Sequence, residues 1–283
     1  MRRLGDRRDG TLIRDLDSMH YIMPLMYPNR CDNEAFMTIH CNLEKTEEYL
    51  KKLNAQNPDV KYNIFQLVIT ACLKTIRLRP QMNRFIANKN VYQRKDISAA
   101  FTVKKTFSDD GEETLARIPA EDTDTLESMH KKISQQIEFC KTSVDESTES
   151  MNFIQKLPGK HLIGAIARWA DQHGWMPQSI IATDPYQCSV VLTNLGSLGM
   201  NIGYHHLMNW GTNSIFVVIG KKKRINTVDS NGKVNSRKEL QLSMTIDERI
   251  ADGYYYAKTL KLLKKLIENP ELLELPLSEE VPY

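Results

Sequence analysis

The sequence predicts a single α/β domain in which a mixed β-sheet is covered by helices. Amphipathic helical segments recur through the first two thirds of the 283-residue chain, and β-branched strand segments are concentrated in the last third. Several strand segments are apolar on both faces, a pattern typical of strands that helices cover. No Gly-rich linker, low-complexity tract or internal repeat divides the sequence. These observations favour one domain over two.

The first residues are predicted to form a solvated arm that rests on the surface. Residues 1–15 are rich in arginine and aspartate, and runs of exposed charge of this kind are usually solvated. The predicted organisation is an N-terminal arm over residues 1–19, the folded domain over 20–275, and a C-terminal tail over 276–283.

Hydrophobic periodicity assigns the elements of the first two thirds. Asn63 is the predicted N-cap of a long helix, which Pro80 ends. A turn is predicted at residues 108–111, and the polar segment 142–150 is predicted to be a mobile loop. The expected strands of this part are 36–41, 90–93, 97–104 and 114–118. The expected helices are 44–53, 64–79, 123–139 and 153–172.

The helix predicted at 153–172 has two interpretations. Its apolar side could lie on a membrane surface, or it could pack in the core or in a subunit interface. Lys160 and Arg168 are its only nearby cations, and helices that bind membrane surfaces usually carry a denser basic face. The sequence therefore favours packing in the core or an interface.

The last third of the chain is predicted to be rich in strands. Residues 189–193 and 214–219 are β-branched segments. Asn231 and Gly232 lie between the segments 224–228 and 239–246, and an Asn-Gly pair between two strands is a strong signal for a hairpin. An alternating strand pattern then leads to residues 247–253, and a helix is predicted over 254–267.

Composition excludes several classes of protein. The formal net charge of +3 is too small to indicate a nucleic-acid partner. No apolar run approaches the length needed to span a bilayer, and the N-terminus lacks the apolar core of a signal peptide. Five scattered cysteines without a Cys-x-x-Cys spacing argue against disulfides and a zinc site. We therefore expect a cytoplasmic protein without a metal.

The segment 247–253 is the most informative part of the sequence. It reads Asp-Glu-Arg-Ile-Ala-Asp-Gly and resembles the signature of the chloramphenicol acetyltransferase and 2-oxoacid dehydrogenase E2 catalytic-domain superfamily. In that superfamily a histidine stands four residues before the Asp-Gly pair. Asp252 and Gly253 match the pattern, but the histidine position is occupied by Glu248.

A second segment strengthens the resemblance. Residues 190–199 end in Thr-Asn-Leu-Gly-Ser-Leu-Gly, similar to the family segment whose first hydroxyl residue donates a hydrogen bond to the tetrahedral oxyanion. The resemblance makes Thr193 the oxyanion donor, and one such donor contributes about 3 kcal/mol to the transition state. Asn194 and Gly196 are predicted to contact the cofactor. Alternatively, Thr193 and Asn194 only shape the turn.

The resemblance extends from about residue 20 to residue 275. Residues 79–85, 219–220 and 269–273 are also similar to segments of the family. It implies the mixed α/β fold of a coenzyme A-dependent acyltransferase, with coenzyme A or acyl-coenzyme A as cofactor. It also implies a homotrimer, or a multiple of three, with a thioester substrate. Because no lipoyl domain precedes residue 20, a role as the core of a dehydrogenase complex is not expected.

The family often has an arginine that pairs with the aspartate of the Asp-Gly motif. Pro24 and Pro28 interrupt the corresponding region of this sequence, so Arg14 and Arg30 are the candidates for that partner of Asp252.

The Lys221-Lys222-Lys223-Arg224 run could bind the phosphates of coenzyme A, with Lys221 and Lys222 as the predicted contacts. Solvated lysines that protect a strand end are an equally good interpretation.

The replacement of the histidine divides the functional hypotheses. A free carboxyl group has a pKa about four units below that of a thiol, so transfer of a thiol proton to it is about 6 kcal/mol uphill. Catalysis through Glu248 would require a strongly buried carboxylate, and loss of a general base lowers rates by about 10²–10⁴-fold. His205 or His206 could substitute as base, although adjacent loop histidines are more often structural. The alternative to an acyltransferase is an inactive binding or scaffold protein.

Overall fold

A mixed β-sheet organises the molecule. The computed structural model describes residues 3–104, 113–142, 159–228 and 230–283. The strands of these residues are β1 Gly10–Leu12, β2 Glu34–Asn42, β3 Arg84–Ala87, β4 Asn90–Arg94, β5 Ile97–Lys104, β6 Glu113–Ala120, β7 Val190–Asn194, β8 Ile215–Ile219, β9 Lys223–Val228 and β10 Val234–Asp247.

The helices of the described residues connect and cover these strands. They are α1 Ser18–Met26, α2 Glu44–Gln56, α3 Ile64–Leu78, α4 Leu126–Thr142, α5 Lys160–Gln172, α6 Gln178–Thr183 and α7 Gly253–Glu268. Asn63 caps α3 as predicted, because its side chain accepts from the Gln66 N–H at 3.1 Å while the Gln66 side chain accepts from the Asn63 N–H at 3.2 Å.

The described strands form two sheets. The larger has the order β2-β10-β8-β7-β5-β6, with β9 also paired to β10, and the smaller has the order β1-β4-β3. β7 runs parallel to both β5 and β8, while β10 is antiparallel to β2, β8 and β9. The parallel and antiparallel pairs together confirm the predicted mixed sheet. The β9–β10 pairing also confirms the hairpin expected from Asn231-Gly232.

The main core lies between the larger sheet and a layer of helices. α3 lies at its centre, since its residues 66–76 are all buried; α7 and α4 pack against α3, and α2 packs against α7. Alternate residues of β10 (Leu240, Leu242, Met244 and Ile246) point into this core. Burial of so much apolar surface is the dominant stabilising term of such a layered domain.

The opposite face of the larger sheet carries a smaller apolar cluster. It consists of Ala100, Cys188, Val191, Leu207, Phe216 and Val218, with Leu195 packed against it. The segment 199–208 crosses this face without regular secondary structure, and Ser243 of β10 donates a hydrogen bond to its Gly203 carbonyl. Thr193 has the same side-chain direction as Val191, so it points to this face rather than into the main core.

The prediction of a solvated N-terminal arm is wrong for residues 7–12. β1 pairs with β4, and Arg7 and Asp9 are buried as an ion pair with an N–O distance of 2.9 Å. The Arg7 guanidinium also lies 5.4 Å from the ring centre of Phe85. Arg7 and Asp9 immediately precede β1, and their opposite charges neutralise each other where both are buried.

Two predicted features lie outside the described residues. The turn at 108–111 is one, and residues 143–150 of the predicted mobile loop are the other. The helix predicted at 153–172 is described only from Lys160 onward, as α5. Its core-packing interpretation is wrong, because Leu162, Ile166 and Trp169 are all exposed.

Candidate active site

Glu248 occupies the turn that joins the longest strand to the last helix. β10 ends at Asp247, a 3-10 turn covers Glu248–Ile250, and α7 starts at Gly253, as the motif predicts. The Glu248 N–H donates to the Asn33 carbonyl at 2.8 Å. The Glu248 side chain is exposed and forms no hydrogen bond or ion pair with another described residue. Its backbone is therefore held, whereas its carboxylate is open to solvent.

A buried ion cluster lies on either side of Glu248. Arg249 donates from Nε and Nη2 to the two carboxylate oxygens of Asp247, at 2.8 and 2.7 Å. Arg249 Nη1 also donates to the Tyr27 carbonyl at 2.8 Å, which ties the turn to the end of α1. Arg30 lies 3.6 Å from the same carboxylate. Two guanidinium groups thus share one buried carboxylate.

Arg30 is chiefly a structural residue. Its guanidinium donates to the carbonyls of Met208, Ile86 and Gly211. Burial lowers its pKa to about 10, although Asp247 opposes this shift. These bonds connect the segment of Arg30 to strand β3 and to the loop that contains Met208 and Gly211.

Asp252 does not form the buried ion pair that the resemblance implied. It is exposed and caps α7, with its side chain accepting from the Tyr255 N–H at 2.7 Å. Arg14 pairs instead with Asp6 at 3.1 Å, and Arg30 with Asp247. Pro24 lies inside α1 and does not prevent that helix from forming. The Asp17 side chain caps the start of the helix. The charge expected at Asp252 is thus found five residues earlier, and spacing alone cannot distinguish the two aspartates.

Thr193 is half-buried near the end of β7, followed by a tight turn. The Asn194 side chain caps this turn by accepting from the Ser197 N–H at 3.1 Å. A Cβ atom on Gly196 would lie 2.5 Å from the Gly220 carbonyl oxygen, so only glycine fits there. Asn194 and Gly196 therefore have structural roles in holding the turn, and their contacts with a cofactor stay predictions.

The basic run lies beside the same turn. The Cβ position of Gly196 is 3.0 Å from Lys221 Cα, and the Lys221 N–H donates to the Met200 carbonyl. Lys222 pairs with Glu47 at 2.9 Å, whereas Lys221 has no ion pair among the described residues. The structure thus brings Thr193, Asn194, Gly196 and Lys221 to one end of the sheet.

Thr193 and Glu248 lie at opposite ends of the sheet within one chain. Thr193 is level with Val218 of β8, which in turn is level with Ser243 of β10. Glu248 follows Ser243 by five residues, which is about 17 Å along a strand. The two side chains cannot meet within a single chain, because β10 runs from the level of Thr193 to the other end of the sheet before it ends at Asp247.

The two adjacent histidines are held by the backbone. His205 stacks on Phe216 with 4.1 Å between ring centres, and its Nδ1 donates to the His206 carbonyl at 3.0 Å. His206 Nδ1 donates to the Leu207 carbonyl at 3.0 Å. This arrangement favours the structural interpretation of both residues over the role of a substitute base.

Sequence reasoning missed Cys31 as a neighbour of the motif. Its Sγ donates to the Leu207 carbonyl at 2.8 Å, and Leu207 N–H donates to Glu34 beside it. Burial raises the pKa of the Cys31 thiol, and Glu34 raises it further, so the group is a poor nucleophile near neutral pH. No spacing in the sequence signals this proximity.

Across the described residues, no group of three or more potential ligands is placed to hold a metal.

Comparison with known proteins identifies the fold. The model of the family described as 2-oxoacid dehydrogenases acyltransferase (catalytic domain) matches residues 178–275. That range includes both Thr193 and the 247–253 motif. No match was found among the curated proteins.

Solved structures give the same result over nearly the whole chain. A probable dihydrolipoamide acetyltransferase from Listeria monocytogenes 4b F2365 matches with a TM-score of 0.60 at 13% identity, covering 96% of this chain and 97% of its own. The dihydrolipoamide acetyltransferase of Azotobacter vinelandii matches with a TM-score of 0.60 at 15% identity, covering 94% and 95%. A chloramphenicol acetyltransferase matches with a TM-score of 0.54 at 12% identity, covering 91% and 99%.

These comparisons confirm the predicted fold class. The chain has the fold of these acetyltransferases, and its residues 178–275 resemble the catalytic domain of the 2-oxoacid dehydrogenase acyltransferases. None of the helices in the described ranges has the length and hydropathy needed to cross a membrane.

Proposed function

We propose that the chain is a coenzyme A-dependent acyltransferase-type protein whose site is assembled from two subunits of a homotrimer. The observation that carries the proposal is the offset of about 17 Å between Thr193 and Glu248 along the strand direction within one chain. Each residue lies at an end of the larger sheet and neither is fully buried. A site that contains both residues can therefore form where Thr193 of one subunit meets Glu248 of its neighbour.

The proposed roles follow from the two ends. The Thr193 hydroxyl donates to the oxyanion that forms when a thiolate attacks an acyl thioester. Glu248 takes the thiol proton as that attack begins, and it returns the proton to the thiolate that leaves when the intermediate collapses and the original C–S bond breaks. The neighbouring subunit covers the Glu248 carboxylate. Lys221, beside the Thr193 turn, is placed to contact a phosphate of coenzyme A. The Azotobacter vinelandii enzyme was investigated for catalytic roles of a serine, a histidine and an asparagine, the last two four residues apart. Glu248 and Asp252 have the same spacing.

The second candidate is a binding or scaffold protein without catalysis. Asp252 has no ion pair among the described residues, and Glu248 is a carboxylate where the family has a histidine. An ionised Glu248 would repel both the thiolate and the oxyanion. A related structure is the cubic core of a pyruvate dehydrogenase multienzyme complex, with a TM-score of 0.60 at 16% identity and coverage of 94% and 95%. A purely architectural role for this fold is therefore the main alternative.

Calorimetry with coenzyme A and acetyl-coenzyme A tests whether the site binds a thioester. We expect saturable binding of both ligands by the trimer, and weaker binding by Lys221→Ala. Lys233→Ala, on the exposed β9–β10 hairpin, is the matched control and should bind like the wild type. Absence of binding to the wild-type protein at millimolar ligand would contradict the acyltransferase proposal and favour the scaffold.

Cross-linking tests the shared site separately. Chains carrying Thr193→Cys are mixed and reassembled with chains carrying Glu248→Cys, both in a Cys31→Ser background because Cys31 is the exposed native thiol. A short bifunctional thiol reagent should join the two kinds of chain. Each variant by itself serves as the control and should give little cross-linked product. If light scattering shows a monomer and no mixed product forms, the shared site is wrong.

A further inference from the structure

Helix α1 exposes a continuous apolar face to solvent. Successive residues of an α-helix are about 100° apart around its axis, so five large side chains of α1 share an arc of about 160°. All five are between 44% and 65% exposed: Met19, Tyr21, Ile22, Leu25 and Met26. Tyr27, just after the helix, is exposed as well. A contiguous apolar surface of this kind marks an interaction site.

The other side of α1 is fixed to the body of the protein. Pro24 is the buried residue of the helix. α1 packs on the turn that contains Glu248, and Arg249 Nη1 donates to the Tyr27 carbonyl at 2.8 Å. Asn33 Nδ2 donates to the same carbonyl at 3.2 Å. The apolar face is therefore held in place beside the Glu248 turn.

A second exposed apolar surface lies beside Thr193. Leu198 belongs to the turn after Thr193, and Met200 follows that turn. Tyr204 lies on the segment that crosses the same face of the sheet, where its hydroxyl is 2.6 Å from Thr38 Oγ1 in a hydrogen bond. Leu198, Met200 and Tyr204 are between 51% and 54% exposed. The Thr193 and Glu248 regions thus each carry an apolar surface of their own.

Two different apolar surfaces on one chain fit a ring of identical copies. In a cyclic trimer each subunit offers one surface to one neighbour and a different surface to the other. Six side chains that each expose about half of the roughly 150–200 Å² typical of a large side chain offer on the order of 500 Å² on α1 and Tyr27. A stable interface takes about 800 Å² from each partner. This face therefore supplies more than half of what one subunit must contribute.

The composition of α1 distinguishes between possible partners. Residues 18–27 contain no Asp, Glu, Lys or Arg. Helices that bind a membrane surface carry a face rich in Lys and Arg, and surfaces that bind nucleic acid are strongly positive. Depletion of charged residues is instead typical of the core of an interface between protein subunits.

We propose that the apolar face of α1 packs against Leu198, Met200 and Tyr204 of a neighbouring copy of the chain. This contact rests on the proposed function, since the homotrimer is what brings Thr193 of one subunit to Glu248 of the next. In that arrangement α1 and the Thr193 turn of the neighbour meet at the border of the shared site. Apolar side chains at this border exclude water, which strengthens the interaction of the Thr193 hydroxyl with the oxyanion.

Sedimentation velocity at micromolar concentration tests the contact. We expect the full-length protein to sediment as a trimer or a multiple of three. Ile22→Glu with Met26→Glu should weaken the assembly by at least about tenfold, because it places unpaired carboxylates in an apolar interface. Val228→Glu with Val234→Glu is the matched control, since it changes two exposed residues of the β9–β10 hairpin and should assemble like the wild type. Circular dichroism should show the same helix content for all three proteins, because the four changed side chains are exposed.

Thiol cross-linking gives a second readout that adds no charge to the interface. Chains carrying Met26→Cys are mixed and reassembled with chains carrying Met200→Cys, both in a Cys31→Ser background because Cys31 is the exposed native thiol. A short bifunctional thiol reagent should join the two kinds of chain. Each variant by itself is the control and should give little cross-linked product.

The outcomes separate this contact from the proposed acyl transfer. An assembly that both double variants leave intact, or a mixture of the two cysteine variants that gives no mixed product, would overturn the contact even if coenzyme A binds. An assembly weakened only by the α1 variant, together with the mixed product, would support the contact even if calorimetry detects no coenzyme A binding. A wild-type monomer would overturn it, and flotation of that monomer with phospholipid vesicles through α1 would assign the face to a membrane.

Discussion

Arg249 and Asp247 form a two-point ion pair across Glu248, with both side chains buried. The Nε and Nη2 groups of Arg249 lie 2.8 and 2.7 Å from the two carboxylate oxygens of Asp247. The Tyr256 hydroxyl donates to the Asp247 carbonyl at 3.1 Å, so the backbone before Glu248 is also held. This pair determines where the Glu248 side chain leaves the protein surface.

Asp247→Asn should destabilise the protein strongly. The change leaves Arg30 and Arg249 without the carboxylate they share, and breaking a buried ion pair by removing one partner costs about 3–5 kcal/mol. Urea unfolding followed by circular dichroism measures the loss. Asp252→Asn is the matched control: it also removes one carboxylate, but asparagine caps helices as well as aspartate does. We expect that variant within about 0.5 kcal/mol of wild type, and equal losses for both would refute the assignment.

The role of Glu248 can be separated from its position. If Glu248 is the base, Glu248→Gln should lower acyl transfer by about 10²-fold or more. If Glu248 only occupies the position, Glu248→Gln should have no effect and Glu248→His should raise activity. Steady-state kinetics with acetyl-coenzyme A and a thiol acceptor measure the rate.

Thr193→Ala is the internal control for those kinetics. It should lower kcat by about 10²-fold while leaving coenzyme A binding nearly unchanged, because the oxyanion exists only during reaction. A parallel loss of binding affinity would show that Thr193 shapes the ligand pocket rather than the transition state.

Gly196→Ala should disturb the turn that carries Thr193. The new methyl group would lie 2.5 Å from the Gly220 carbonyl oxygen and 3.0 Å from Lys221 Cα, both of them backbone atoms. Overpacking of this kind costs about 1–3 kcal/mol. Gly203→Ala is the control, since its nearest atom would be Leu195 Cδ1 at 3.8 Å. Thermal unfolding of the two variants should therefore differ, and equal midpoints would contradict the close approach.

His130 should make stability depend on pH. It is buried on α4, stacks on Tyr62 with 4.3 Å between ring centres, and its Nδ1 has no hydrogen-bond partner among the described residues. Burial lowers the pKa of His130, and Lys131 lowers it further. The unfolded chain therefore binds the proton more readily, and stability is lost as pH falls below about 6.5.

His130→Gln removes this titration. Unfolding measured between about pH 7.5 and pH 5 should show a smaller loss of stability for the variant than for wild type, since glutamine cannot be protonated there. His161→Gln changes an exposed histidine and should retain the wild-type pH profile. Identical pH profiles for wild type and His130→Gln would exclude this contribution.

Local signals were sufficient for much of the fold. Asn63 and Gln66 form the predicted cap because capping depends on residues three positions apart. Asn231-Gly232 lies at the predicted hairpin because turn geometry depends on backbone conformations that few residues adopt. The motif after β10 forms the predicted strand, turn and helix for the same reason.

Contacts between distant segments were not predictable in this way. Arg7 and Asp9 were expected in solvent, yet both are buried, and Arg7 lies beside Asp171, more than 160 residues away. The ion pair expected at Asp252 lies at Asp247, because only the three-dimensional approach of Arg30 selects between the two aspartates. The exposure of α5 was likewise invisible, since an apolar stripe has the same sequence pattern whether or not another element covers it.

The sequence by itself determined the fold class and the position of the motif segment, in which residue 248 is a glutamate. Periodicity, caps and turns are local properties that the chain carries at every stage of folding. Only the tertiary structure decided that Thr193 and Glu248 stand at opposite ends of one sheet, and that Asp247 rather than Asp252 is the buried charge. Those facts depend on strand order and on the long-range burial of charge, which no short segment of sequence records.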